Sequence, residues 1–315
     1  MKMNERKPPQ NILYNESLQR RLNPLSKLRP KIKEDLLKAW AGYHGECKVD
    51  RYVSTIDSKE IYIIHDLTLQ VGDTYFQIDT LILSKSFGLI LEIKNIAGHL
   101  NISSDFGQVT RTLNGEVTGF TNPIEQAKRY RIFLLKWLRK KKFPHIPIDF
   151  LVVFTNPSSV ITSTNPCDEI LSKTIRLESL VSTFLSLQHY YKNNVLTEKE
   201  IKKISQLLLK ENTSYTITKI KEEFVKGVYC TNCKNVSMIR KKGSWFCSIC
   251  GHFDKNAHVQ AIHDYFELIS PSITTKEASD FLKIESHRIT RYLLSNMKLK
   301  QDGKGKATRY SLKYK

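Results

Sequence analysis

Two apolar runs joined by a short Ser-Lys-Ser-Phe-Gly turn, YFQIDTLILSKSFGLILEIKNIAGH from Tyr75 to His99, constrain this chain more than any other stretch. Each run is rich in β-branched and aromatic residues and reads as a strand. Asp79, Glu92 and Lys94 are embedded in them. A buried carboxylate is costly unless a cation or hydrogen bonds compensate it. Side chains at i and i+2 of a strand share a face, which puts Glu92 and Lys94 together and lets Asp79 reach the same point from the neighbouring strand. Two carboxylates and a backbone carbonyl can hold Mg²⁺. A metal so held can polarise a phosphodiester and activate water, while a lysine orients that water or steadies developing negative charge. A cross-strand ion pair would explain Lys94 and one acid alone, so the surrounding elements decide between the two readings.

The segment from Pro30 to Ile56 reads as helical, with Gly42 and Gly45 marking either a break or a close backbone approach. Val49, Val53 and Ile56 recur at helical spacing, and Glu46 is predicted on the same buried face. A shorter helical pattern covers residues 18–28. EIYIIHDLTL (60–69) is strand-like, Gly72-Asp73 signals a hairpin turn, and 101–120 reads as a further hairpin around Asn114-Gly115. Asn122 can cap a helix with Pro123 at its first position and Glu125 as the reciprocal partner. Gln126 then sits in the first turn, where free N–H groups favour phosphate. IPIDFLVVFTNP (146–157) reads as a fully buried fourth strand. Helices are expected over 176–192 and 197–211, the second capped by Thr197 and Glu200, and 212–226 reads as a connector.

Charge narrows the partner. The 315 residues hold 50 Lys+Arg against 31 Asp+Glu, a net +19, which draws polyanions to the surface. Nucleic acid is the first candidate. Membrane association is not expected, because the basic residues are spread out and no amphipathic basic terminal helix or lipidation signal is present. The opening MKMNERKPPQ lacks the apolar core of a secretory leader, and no apolar run is long enough to span a bilayer. The expectation is a cytoplasmic protein without a disulfide framework.

The ordered set Gly45-Glu46, Gln77-Ile78-Asp79-Thr80, Glu92-Ile93-Lys94-Asn95 and Asn122-Pro123-Ile124-Glu125-Gln126 resembles the PD-(D/E)XK nuclease superfamily, and more narrowly its NERD (nuclease-related) domain proteins of bacteria, over residues 40–155. The resemblance implies an α/β, restriction-endonuclease-like αβββαβ core with a mixed sheet and Mg²⁺- or Mn²⁺-dependent phosphodiester cleavage. It implies Asp79 and Glu92 as metal ligands, Glu46 as a further ligand, Lys94 as the residue that activates or orients water, and Gln126 as the residue that positions water or phosphate. Ile78 stands where the superfamily often has proline, with the acid itself in place.

Cys230, Cys233, Cys247 and Cys250 form C-x₂-C-x₁₃-C-x₂-C, the spacing of a four-thiolate structural Zn²⁺ ribbon. Tyr229, Trp245 and Phe246 supply its apolar wall, and His252 is an alternative ligand. Beyond it, helices are expected at 257–269, at TTKEASDFLKI with Thr274 and Glu277 as a capping box, and at SHRITRYLLSNM, followed by a lysine-rich hairpin around Gly303–Gly305. This order resembles a winged helix-turn-helix. Ser286, His287, Arg288 and Arg291 would approach a groove, with Lys304, Lys306 and Arg309 of the wing meeting phosphates. A protein-interaction module of the same fold is the competing reading.

The expected organisation is a basic N-terminal extension (1–38), a nuclease-like domain (39–215), a zinc ribbon (226–254) and a winged-helix-like α+β domain (256–315). The expected function is a metal-dependent nuclease acting on DNA, with the C-terminal modules binding substrate. The alternative is a non-catalytic DNA-binding regulator carrying an inactive nuclease-like domain. A homodimer is left open.

Overall fold

The structure, a computed structural model, describes residues 4–56, 61–103, 107–213 and 217–313; the side chain of Lys306 lies outside the described set. The chain is mixed α/β and divides into two compact units. The first joins residues up to Lys7 with Trp40–Thr216, and the second joins Pro8–Ala39 with Ile217–Lys315.

Helix α1 is Gln10–Arg21 and α2 is Arg29–Val53. The expected helix at 18–28 is therefore displaced towards the start of the chain. Leu22 turns extended and bridges Phe224, and Asn23 precedes Pro24, a position that disfavours helix. In the first unit α2 is followed by β1 (Tyr62–Val71), β2 (Thr74–Leu83) and β3 (Gly88–Lys94), then β4 (Gly98–Ile102), β5 (Val109–Leu113) and β6 (Glu116–Phe120). Next come α3 (Pro123–Lys140), β7 (Ile148–Phe154), β8 (Ser159–Ser163), α4 (Asp168–Lys173), β9 (Thr174–Arg176), α5 (Leu180–Tyr190) and α6 (Glu198–Glu211).

The main sheet has the order β1-β2-β3-β7-β9. Its first three strands are antiparallel, and β3–β7 and β7–β9 are parallel. β7 is buried along its whole length, as a strand covered on both faces must be. One face packs Leu134 and Trp137 of α3 and Ile204 and Leu208 of α6 against Leu67, Ile78, Ile90 and Phe150. The other packs Val49 and Val53 of α2 and Leu180 and Phe184 of α5 against Ile82, Leu89, Leu91 and Val153. A second sheet, β6-β5-β4-β8, ends in a hairpin at Asn114-Gly115, both in the left-handed region that this tight turn requires. Asn122 caps α3 by accepting from Ile124 N at 2.9 Å, whereas Glu125 pairs with Lys128 Nζ at 2.8 Å.

The two hairpin strands break their alternation at one level. Ile64 of β1 faces the α3 side, and so do Leu67 and Leu69; in β2 the α3-facing set changes from Phe76 and Ile78 to Leu81 and Leu83. The change falls at Asp66 and Asp79, which lie between the paired residues His65↔Thr80 and Leu67↔Ile78. Asp66 is left-handed, with φ 52°. Both strands shift together, so the register survives while the side chains at this level are re-aimed. The outer edge of β1 is closed by amides. Asn4 exchanges two hydrogen bonds with the main chain of His65, at 2.8 and 2.9 Å, and Asn212 accepts from Thr68 N and donates to Asp66 O. A capped edge cannot recruit another strand.

In the second unit, β10 (Val228–Tyr229), β11 (Val236–Lys241), β12 (Ser244–Cys247) and β13 (Phe253–Asp254) form one sheet in sequence order. Then follow α7 (Ala257–Leu268), β14 (Ser272–Thr274), α8 (Thr275–Leu282), α9 (His287–Asn296), β15 (Leu299–Asp302) and β16 (Arg309–Leu312), with the last sheet ordered β14-β16-β15. Helix α1 packs on α7, where the fully buried Arg21 donates Nε to Asp264 Oδ2 at 2.7 Å and Nη1 to Gly227 O at 2.7 Å. The Asp264 carboxylate and the Gly227 carbonyl compensate the buried charge, while Arg21 Nη2 is buried with no partner.

Candidate active site

β2 and β3 pair as far as Thr80↔Leu91 and then diverge. Asp79 inserts there, its Oδ2 accepting from Ile93 N at 2.8 Å in place of a ladder bond. On β3, Glu92 and Lys94 share a face, and Lys94 Nζ lies 2.7 Å from Glu92 Oε1. Nζ also donates to Gln126 Oε1 at 3.4 Å, and Gln126 Nε2 donates to Tyr130 OH at 3.0 Å. The first two turns of α3 thereby hold the lysine in line with the acids.

Glu46 reaches the same region from α2 because Gly45 lets the helix touch the ends of β3 and β7. A Cβ at Gly45 would lie 2.7 Å from Asn95 Cβ and 2.8 Å from Thr155 Oγ1. Asn95 Nδ2 fixes the crossing by donating to Ala41 O at 2.7 Å. Gly42, one turn earlier, meets nothing.

Crowding in a dry site dominates the electrostatics. Burial, then the nearby Asp79 charge, pushes Glu92 up to about 8 and Glu46 up to about 7. Burial also raises Asp79, against the Ile93 N–H and the Lys94 charge. Glu92 is 1 % exposed and its Oε2 is buried with no partner. Carboxyls that resist ionisation, one of them with an orphaned oxygen, are groups a cation would satisfy. Asp79, Glu92 and the main chain between Glu92 and Lys94 fit a hard divalent ion, with Glu46 alongside. Among the described residues, the four cysteines are the group of three or more potential ligands whose donor atoms all lie within 4.8 Å of one another. The three carboxylates are gathered more loosely than that.

Several residues of this cluster lie outside the sequence motifs. Arg6 Nη1 donates to Glu46 Oε2 at 2.7 Å and to Asp66 Oδ1 at 2.9 Å, and Nε donates to Asp50 Oδ2 at 2.8 Å. Nη2 reaches the main-chain oxygen of Asp79 at 2.9 Å and Thr80 Oγ1 at 2.7 Å. Asp50 follows Glu46 by one helical turn, which places both on one face of α2 and is a signal that sequence could have given. Burial raises Asp66 to about 6.

The cysteines form a second candidate centre. Cys230 and Cys247 are buried, Cys233 is half-buried and Cys250 exposed. Each pair closes a similar turn, with Lys234 N bonded to Cys230 O and Gly251 N to Cys247 O, both at 3.0 Å, and with Lys234 and Gly251 at positive φ. The Ser237 hydroxyl lowers Cys247 to about 6 while burial pushes Cys230 up to about 11. His252 instead gives its main-chain oxygen to Cys247 N.

Farther along, Ser286 caps α9 by accepting from Ile289 N. His287, Arg288, Arg291 and Lys304 are exposed. Arg309 is engaged, donating Nε to Ser272 Oγ at 2.9 Å and lying 3.7 Å from Glu277 Oε2. Glu277 itself closes the capping box with Thr274 at the start of α8.

Comparison with known proteins matches residues 41–155 to NERD, the nuclease-related domain family. The matched span contains Glu46, Asp79, Glu92, Lys94 and Gln126. An uncharacterized protein of Bacillus anthracis is 30 % identical over 109 residues, which are 34 % of this chain and 50 % of that protein. The chain thus spans about half the length of the curated relative it matches. The match makes the segment nuclease-related. No helix among the described residues is long and apolar enough to cross a membrane.

Proposed function

We propose that the first unit is a metal-dependent nuclease site that hydrolyses phosphodiester bonds, with DNA as substrate and Mg²⁺ or Mn²⁺ as cofactor. The observation that carries this reading is the orphaned, buried Oε2 of Glu92 beside Asp79 and Lys94. Asp79 and Glu92 would hold the ion, with Glu46 as a further ligand. When bound, the ion would polarise the phosphodiester and lower the pKa of a water. Lys94, pinned by Glu92 and Gln126, presents a fixed cation where negative charge develops on the phosphate oxygens. Gln126 sits in the first turn of α3, at the positive end of the helix dipole, which favours a phosphate. The test is cleavage of a panel of duplex, branched and single-stranded DNA and of RNA, with Mg²⁺ or Mn²⁺, by wild type and Asp79→Ala. Metal-dependent cleavage by wild type alone supports the reading. Absence of cleavage on every substrate favours a non-catalytic DNA-binding regulator.

The second unit supplies the binding half of this proposal. Four cysteines within ligand distance of one another support a structural zinc ribbon. The order α7, β14, α8, α9, β15, β16 supports a winged helix whose α9 carries Arg288 and Arg291 on its exposed face and whose turn carries Lys304. Arg309, tied to Ser272 and Glu277, has less freedom to meet a phosphate than those three.

A further inference from the structure

Arg6 stands outside the residues that the nuclease reading uses, yet it is the most enclosed cation of the first unit's acid cluster. Its side chain is 3 % exposed. Three carboxylates surround the guanidinium, namely Glu46 and Asp66 at Nη1 and Asp50 across Nε and Nη2. Two more oxygens, Asp79 O and Thr80 Oγ1, complete the shell together with His65 Nδ1 at 3.1 Å. A shell rich in oxygen and carboxylate is also the one that hard divalent cations select.

The guanidinium is delivered by specific docking. Asn4 pairs with both main-chain groups of His65 on the edge of β1, two residues before Arg6 in sequence. Arg6 contacts Asp79 through its main-chain oxygen, and its hydrogen bonds fall on neither the Asp79 nor the Glu92 carboxylate. The cluster is therefore divided. Asp50, Asp66 and Glu46 through its Oε2 bond Arg6, while Asp79 accepts from Ile93 N and Glu92 pairs with Lys94, its own Oε2 left without a partner.

We propose that Arg6 is a resident cation occupying the position that a second divalent ion takes in two-metal phosphodiesterases, so that this site accepts a single divalent ion between Asp79 and Glu92. The inference rests on the nuclease reading for the first ion and extends it to the number of ions. With all five carboxylates ionised against Arg6 and Lys94, one divalent ion leaves a single excess negative charge, whereas a second would reverse the sign. An arginine holds its charge at any working pH and cannot be chelated away. Half of the site is thus independent of metal supply.

Equilibrium titration of the zinc-loaded full chain with Mn²⁺, reading free Mn²⁺ by electron paramagnetic resonance, tests this without reference to activity. Wild type is expected to bind one Mn²⁺ that Asp79→Asn removes. Arg6→Ala is expected to bind one more, which Asp66→Asn removes and added guanidinium ion displaces, while Arg6→Lys stays at one. Equal counts in wild type and a folded Arg6→Ala overturn the resident cation and leave the nuclease reading standing. Mn²⁺ uptake by wild type that ignores Asp79→Asn overturns the nuclease reading instead. Should Arg6→Ala fail to fold, the wild-type count decides: two carboxylate-dependent ions overturn the proposal, and one supports it.

Discussion

Lys94 Nζ lies 2.7 Å from Glu92 Oε1, on a carboxylate that is 1 % exposed. Removing the lysine strands a buried acid whose other oxygen already lacks a partner. Lys94→Ala is expected to lower stability by roughly 1–2 kcal/mol at pH 8, the scale of a lost buried hydrogen bond, since Glu92, already pushed up to about 8, takes up a proton and does not stand as a bare charge. Chemical denaturation followed by circular dichroism measures this. Cleavage by the folded fraction should fall by about 10²-fold or more, the usual loss when a preorganised charge is removed. Glu92→Gln, in contrast, should be at least as stable as wild type in the absence of metal, because it abolishes the buried charge while losing activity.

Gly42 and Gly45 lie on the same helix and predict opposite outcomes. Gly42→Ala meets nothing and should stabilise by about 0.5–1 kcal/mol through helix propensity. Gly45→Ala drives a methyl against Asn95 Cβ and Thr155 Oγ1 and should cost about 1–3 kcal/mol through overpacking. It should also weaken cleavage more than its stability loss explains, since Glu46 is the next residue. Thermal melts paired with initial rates on both variants check the contrast.

The hairpin, the Asn122 cap and the partnership of Glu92 with Lys94 were legible because they rest on local rules: turn chemistry, capping and a period of two. The position of Asp79 was less so. Strict alternation would carry it on one face, whereas the shared shift at Asp66 and Asp79 re-aims it into the gap between β2 and β3. A left-handed aspartate in mid-strand has no pattern to announce it. Arg6 was illegible for a different reason, since its partners lie 40 to 74 positions away and a single arginine in a basic stretch looks like any other. Strands β8, β9 and β14 are three to five residues long, too short for periodicity to mark.

If the four cysteines hold zinc, elemental analysis of purified, reduced protein should return about one Zn²⁺ per chain. Cys247→Ser should lose it. Chelation should then melt β10–β13 first, because so small a sheet depends on its metal for folding. Loss of Trp245 burial, read as a red shift of its fluorescence, reports that step.

Nucleic-acid affinity should depend on salt with a slope that shrinks as phosphate contacts are removed. Arg288→Ala, Arg291→Ala and Lys304→Ala are each expected to weaken binding and reduce the slope by up to about one. Arg309→Ala should change the slope less and stability more, because its guanidinium is held by Ser272 and Glu277. Fluorescence anisotropy over a salt series separates the two behaviours. A flat salt response in wild type would point to a protein partner.

His258 gives the second unit an acid sensitivity of its own. Its Nδ1 accepts from Trp245 Nε1 at 3.2 Å, so the ring must be neutral for the bond to exist. Burial, then the Arg240 charge, depresses it to about 4 from an ordinary 6.5. Between those values the unfolded chain binds a proton that the folded one refuses, so stability is complete above pH 6.5 and drains away as pH falls towards 4. The loss should reach roughly 1–3 kcal/mol at the lower end, on the scale of 1.36 kcal/mol per pKa unit discounted for partial solvation. His258→Gln keeps an acceptor for Trp245 and removes the titration. Denaturation series from pH 7 to pH 5 should therefore show a shallower decline for His258→Gln than for wild type, and parallel declines would mean that the proton goes elsewhere.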